Sequence, residues 1–157
     1  MIQVMDKRNK RMIYGINKAA KLIINHAIKS NVGLIIIGYN DNFKDEKFSK
    51  RYNQWTKSIP LARLRDRIIY LAKQYNIEVK VINEAYTSIS SYLDKDPFKK
   101  VEFSGKRIKR GLYQSKNGTL INADLNAAFN MIRKGNPDAN WIGNSGLNTP
   151  KRAYLFN

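Results

Sequence analysis

Apolar residues recur at helical spacing in three stretches of the chain and form short continuous or alternating runs between them. From residue 7 to residue 30, Met12, Ile16, Ala19, Ile23 and Ala27 step by four, three, four and four, with Lys7, Arg8, Lys10, Arg11, Lys18 and Lys21 mostly between them. That spacing predicts an amphipathic helix with one packing face and one strongly positive face. Gly33 is expected to break it. Leu34-Ile35-Ile36-Ile37-Gly38 then reads as a strand covered on both faces. Ser58 and Pro60 are good helix-start residues, and Leu61, Leu64, Ile68, Leu71 and Tyr75 follow at helical spacing until Asn76. A second strand is predicted over 78–84. Strand, helix, strand at this spacing is a βαβ unit, so the two strands should run parallel.

Residues 85–123 read as an irregular insertion rich in Ser, Lys, Asp and Gly, in which 107–113 can be extended and Lys116-Asn117-Gly118 is a good hairpin turn. A last helix is predicted over 124–134, burying Leu125, Ala128, Phe129 and Ile132, with Gly135-Asn136-Pro137 as its stop. Residues 39–57 lack periodicity. There Phe43, Phe48, Tyr52 and Trp55 alternate with basic residues including Arg51. The mixture suits a nucleic-acid surface, cations for phosphate and rings for stacking. It equally suits a long loop whose aromatics tuck into a core.

Charge narrows the field of partners. The 157 residues carry 29 Lys+Arg against 12 Asp+Glu, a net +17 with a pI near 10.1. Self-repulsion of that size is relieved by a polyanion, which puts DNA or RNA first. A bilayer span is not expected, because the longest apolar run has four residues against the roughly 20 needed. Cysteine is absent, which excludes disulfides and thiolate zinc sites. The first residues lack the apolar core of a signal peptide, so a cytoplasmic location is expected. His26 is the sole histidine and has no acid nearby in sequence to support a triad.

Two acids sit where an α/β protein places chemistry. Glu84 ends the second strand, and open sheets bind outside the carboxyl ends of their strands. Asp124 falls in the first turn of the last helix. There the macrodipole alone would stabilise it, with Asn122 as cap. Glu84 is equally accounted for as a solvated acid or a partner of one of many lysines. Spacing leaves both readings open.

Glu84-Ala85-Tyr86-Thr87-Ser88, then Gly105-Lys106-Arg107-Ile108-Lys109-Arg110-Gly111-Leu112-Tyr113, then Asn117-Gly118-Thr119-Leu120-Ile121-Asn122-Ala123-Asp124-Leu125-Asn126-Ala127-Ala128 occur in this order. The set resembles the C-terminal half of TnpB (OrfB) proteins, transposon-encoded, RNA-guided relatives of type V CRISPR effectors. The resemblance implies an α/β protein carrying a partial RNase H-like (RuvC-like) fold over 1–134. A degenerate zinc-ribbon-type insertion at about 85–123 would interrupt it, and 135–157 would be a tail. It implies a DNA endonuclease using Mg²⁺ held by an Asp, a Glu and an Asp. In such sites two metals ~4 Å apart activate water and steady the leaving oxygen. The last of these acids falls on Asp124. DNA and a guide RNA are the implied partners.

Three departures qualify the expectation. The position matching the family Glu is Gly38. Parallel strands lie ~4.8 Å apart, so Glu84, ending the neighbouring strand, is expected to replace it. The positions matching the two zinc-ribbon Cys pairs are Ser91, Asp94, Gln114 and Asn117, so zinc is not expected. The first family Asp would lie upstream of the first helix, and Asp6 sits in the wrong kind of element to stand in. Without that acid the isolated chain is expected to be inactive, with an N-terminal half supplied by another chain as a possible completion. The resulting expectation is the DNA-binding C-terminal portion of a TnpB-like endonuclease. Glu84 and Asp124 would be its metal and catalytic residues, and Lys7, Arg8, Arg11, Arg51, Trp55, Lys106, Arg107, Lys109 and Arg110 its nucleic-acid contacts. The competing expectation is an RNA- or DNA-binding protein or regulator without catalysis.

Overall fold

The computed structural model describes residues 2–40 and 60–138, with side chains from residue 4. The aromatic–basic stretch with Arg51 and Trp55, and most of the tail, lie outside the described residues. Helix α1 (Ile2–Lys29) is followed by β1 (Leu34–Tyr39), α2 (Leu61–Gln74) and β2 (Glu78–Asn83). Then come β3 (Lys106–Lys109), β4 (Leu112–Gln114), β5 (Leu120–Asn122) and α3 (Ala123–Gly135). The strands β1 and β2 pair in a parallel two-stranded sheet, as the βαβ spacing predicts. The described residues divide into two compact units, 2–35 with 60–79 and 36–40 with 80–138.

In the first unit α1 packs along α2, burying Ala20, Ile24 and Ala27 with Ile68, Ala72 and Ile77. The stop of α1 comes before Gly33. Asn31 takes a left-handed conformation at φ 51, and the Val32 amide donates to Ala27 O at 2.9 Å. Asparagine tolerates that region because its short polar side chain can bond locally. Asn76 ends α2 in the same way, at φ 54, and the Ile77 amide returns to Ala72 O.

In the second unit β3, β4 and β5 form an antiparallel sheet in that order. The expected extended run over 107–113 is two strands instead. Arg110-Gly111 turns the chain, with Gly111 at φ 78, a conformation open to glycine without strain. The turn at 116–118 joins β4 to β5 as predicted, with Gly118 at φ 87. The small core here is Tyr113, Ile121 and Ala123, with Leu125 and Phe129 against it.

The packing of α3 corrects the periodic reading. Its fully buried positions are Ala123, Asn126 and Asn130, while Ala128 is exposed and Leu125, Phe129 and Ile132 are half-buried. The face that packs is polar because it meets the backbone of an irregular segment rather than apolar side chains. Helical periodicity of apolar residues cannot find such a face.

Candidate functional site

Glu84 is the first residue after β2 and is half-buried. Its surroundings are set by a glycine. A Cβ added at Gly38 would lie 3.1 Å from Glu84 Cβ and 2.7 Å from Met131 Sδ. Position 38 thus has no space for a side chain as the structure stands, and the start of the Glu84 side chain occupies its vicinity. Further along, a Cβ at Gly135 would lie 2.9 Å from Ile36 Cγ2. Met131 lies at Gly38 and Gly135 at Ile36, so α3 runs antiparallel to β1 and its N-terminus extends past the carboxyl end of that strand.

Asp124 is the second residue of α3 and is exposed. Asn122 caps the helix, its Oδ1 accepting from the amides of Asp124 at 2.9 Å and Leu125 at 3.1 Å. Asp124 stands seven residues before Met131, two turns or about 10 Å along the same face. Both acids therefore lie toward one end of one unit, Glu84 at the level of Met131 and Asp124 beyond it. Among the described residues no group of three or more His, Cys, Asp or Glu is placed to hold a metal ion. The pair offers carboxylate oxygens, the donor type hard divalent cations take.

The segment after Glu84 is fastened to α3 by polar groups. The Thr87 amide and hydroxyl donate to Glu84 O at 3.1 and 2.8 Å. Asn130 Nδ2 donates to Thr87 O at 3.0 Å and Ser90 O at 2.7 Å, and Asn126 Nδ2 donates to Ser90 O at 2.9 Å. Asn126 Oδ1 accepts from the Tyr92 amide at 2.9 Å. In the last turn Lys134 Nζ donates to Ala85 O, and Arg133 donates to Asp96 O while its guanidinium lies 4.3 Å from the Phe98 ring centre. Burial lowers the Arg133 pKa, opposed by the nearby Asp96 charge.

Of the four positions set against zinc-ribbon cysteines above, Ser91 and Asp94 bond to each other and Asn117 bonds within its own turn. Ser91 Oγ donates to Asp94 Oδ2 at 2.6 Å, and the same oxygen accepts from the Lys116 amide at 2.9 Å, joining the two ends of the ribbon. Asp96 Oδ2 accepts from the amides of Ser91 at 2.9 Å and Ser104 at 3.0 Å. Asn117 Oδ1 accepts from Ser115 Oγ at 2.6 Å and the Thr119 amide at 3.1 Å. Beneath them Tyr113, only 1% exposed, donates to Ile89 O at 2.8 Å. Desolvation, then the charges of Asp96 and Asp94, push its phenol up to about 12.

The expected contact residues are placed as follows. Lys106, Arg107 and Lys109 lie on the fully exposed edge strand β3, with Arg110 in the turn after it, so these four cations share one end of the ribbon. Lys99, Lys100 and Lys116 are exposed in the same unit. Lys7, Arg8 and Arg11 are exposed on the first turns of α1, in the other unit. The sequence reading missed Asn126, Asn130 and Asp96. The recurrence of Asn at i and i+4 in a helix of otherwise good formers was the available signal.

Residues 62–131 match the family model described as Cas12f1-like, TNB domain. The motifs at 84–128 that resemble TnpB proteins lie within this matched segment. A solved structure, the cryo-EM structure of the Cas12f1-sgRNA-target DNA complex, is similar in fold over 88% of this chain, with a TM-score of 0.59 at 23% identity. The chain spans 37% of the length of that matched chain. No curated protein matches the sequence. No helix among the described residues is long and apolar enough to cross a membrane.

Proposed function

We propose that this chain is the nucleic-acid-binding, C-terminal portion of a TnpB/Cas12f-like RNA-guided DNA endonuclease of transposon type, with a partial RuvC-like, RNase H-like fold. The observation that carries the reading is the ribbon, whose edge strand and following turn expose Lys106, Arg107, Lys109 and Arg110 within a family-matched segment. Cations so placed hold phosphate, and the chain's +17 extends the attraction over its surface. DNA and guide RNA are the partners, as in the complex its fold neighbour forms.

Glu84 and Asp124 are the proposed metal ligands, for Mg²⁺, since both offer hard carboxylate oxygens at one end of the second unit. Bound there, the ion would lower the pKa of a water and stabilise charge on a phosphate. Glu84 substitutes for an acid at position 38, and a third carboxylate comes from another chain. The isolated chain then binds metal weakly and does not cut. Titration with Mn²⁺, read by electron paramagnetic resonance, tests this. Binding by the parent should weaken in Glu84→Ala and in Asp124→Ala, and equal binding by all three chains would remove the metal site.

The lack of a three-acid group among the described residues favours a second reading, binding without catalysis. It predicts that adding an N-terminal partner restores no cleavage, whereas the first reading predicts Mg²⁺-dependent cutting of target DNA.

A further inference from the structure

We propose that Asn126 and Asn130 are positioning residues that set where Glu84 stands relative to Asp124; the functional value of this rests on the metal-site reading above. Each asparagine is fully buried, on the face of α3 that packs rather than the face that carries Asp124. Buried amides are retained where their donors and acceptors have partners, and here all the partners but Arg133, which donates to Asn130 Oδ1, lie on one short segment. Ser90 O accepts from both amides, Thr87 O from Asn130, and the Tyr92 amide donates to Asn126. Thr87 in turn donates twice to Glu84 O.

The backbone of Glu84 is thereby joined to α3 through Thr87 and Asn130. Asp124 belongs to the same helix, held at its start by the Asn122 cap. Two carboxylates 40 residues apart in sequence (124 − 84) are thus tied to one helix. Apolar residues at both 126 and 130 would take these donors from Ser90 O and Thr87 O and this acceptor from the Tyr92 amide, so the segment would have to shift to wet them.

The chain has no cysteine, which makes a clean test available. Nitroxide labels at Glu84→Cys and Asp124→Cys report the separation without metal or activity, and a second pair at Lys106→Cys and Lys116→Cys reports the ribbon alone. The parent should give a narrow 84–124 distance distribution. In Asn126→Ala/Asn130→Ala that distribution should broaden while the 106–116 pair stays narrow. An unchanged 84–124 distribution overturns the proposal. If both pairs broaden in the double variant, Asn126→Ala and Asn130→Ala are tested singly by the same two pairs. Selective broadening at 84–124 then supports positioning, and loss of both distances in each variant overturns it in favour of a general folding role. Failure of the metal reading shows separately, as a parent chain that binds no Mn²⁺ while its asparagines still set the distance.

Discussion

Replacing Asp96 by alanine should loosen the ribbon by an amount that follows from what its carboxylate holds. Oδ2 accepts from the amides of Ser91 and Ser104, at 2.9 and 3.0 Å. Ser104 is exposed, so water can take over that bond at little cost. Ser91 is fully buried, and its amide would be orphaned. A buried donor without a partner costs about 1–3 kcal/mol, and the lost bond is charge-assisted, so the expected loss is about 2–3 kcal/mol. Asp96→Asn keeps an oxygen in place and should lose about 1 kcal/mol, the charge assistance alone. Urea unfolding at pH 7, with and without a chelator, measures both variants. Holding of the ribbon by these hydrogen bonds alone predicts that the chelator leaves the parent's midpoint unchanged. A loss under ~0.5 kcal/mol for Asp96→Ala, within ordinary surface scatter, would refute the reasoning. So would destabilisation of the parent by the chelator.

Three further outcomes are expected. Tyr113 has its phenol raised to about 12 against 10.0 unfolded, so its contribution to stability is intact below pH 10 and lost as pH rises toward 12. The fall in unfolding free energy between pH 9 and pH 11 should accordingly shrink in Tyr113→Phe, and an identical fall would argue against the assignment. Gly38→Ala should cost about 1–3 kcal/mol through its clash with Met131 Sδ, and less in a Met131→Ala background. Strict additivity in that double-mutant cycle would mean the two positions do not meet. Neutralising Lys106, Arg107, Lys109 and Arg110 to Gln should reduce the slope of log K against log salt for duplex DNA by about 3–4, and an unchanged slope would place the contact elsewhere.

What the sequence made legible is what repeats at a fixed period. The first two strands and three helices were readable because apolar residues recur at helical spacing or, at Leu34–Ile37, run without a break, and Asn76 and Asn117-Gly118 carry their own turn chemistry. The reversal at Arg110-Gly111 was hidden inside a run of strand-like residues, where one glycine has to be recognised against four cations. The buried face of α3 was hidden for a different reason. Asn126 and Asn130 pair with backbone groups of a segment without regular structure, and no pattern in the helix itself announces which carbonyls will face it. Of the site, both acids could be named, but their elements could not be joined without the contacts at Gly38 and Met131.

Those contacts bear on how an acid could move between strands while the proposed site stayed in place. A side chain starting at position 38 and one starting at 84 would have Cβ atoms 3.1 Å apart, closer than the ~4.8 Å between paired strands. Two large side chains cannot start that close together without displacing one another. Large side chains at 84 and at 38 therefore exclude each other by packing, and two acids so placed would also repel. The same logic extends to the ribbon. Asp96 takes up the amide and Asp94 the hydroxyl of Ser91, in the segment after Glu84, and α3 receives that segment through Asn126 and Asn130. Placing an acid at 38 alone should for this reason not give it room to act as a ligand. It would need Glu84 reduced to a small residue as well, and the pair Gly38→Glu/Glu84→Ala should bind Mn²⁺ better than Gly38→Glu by itself.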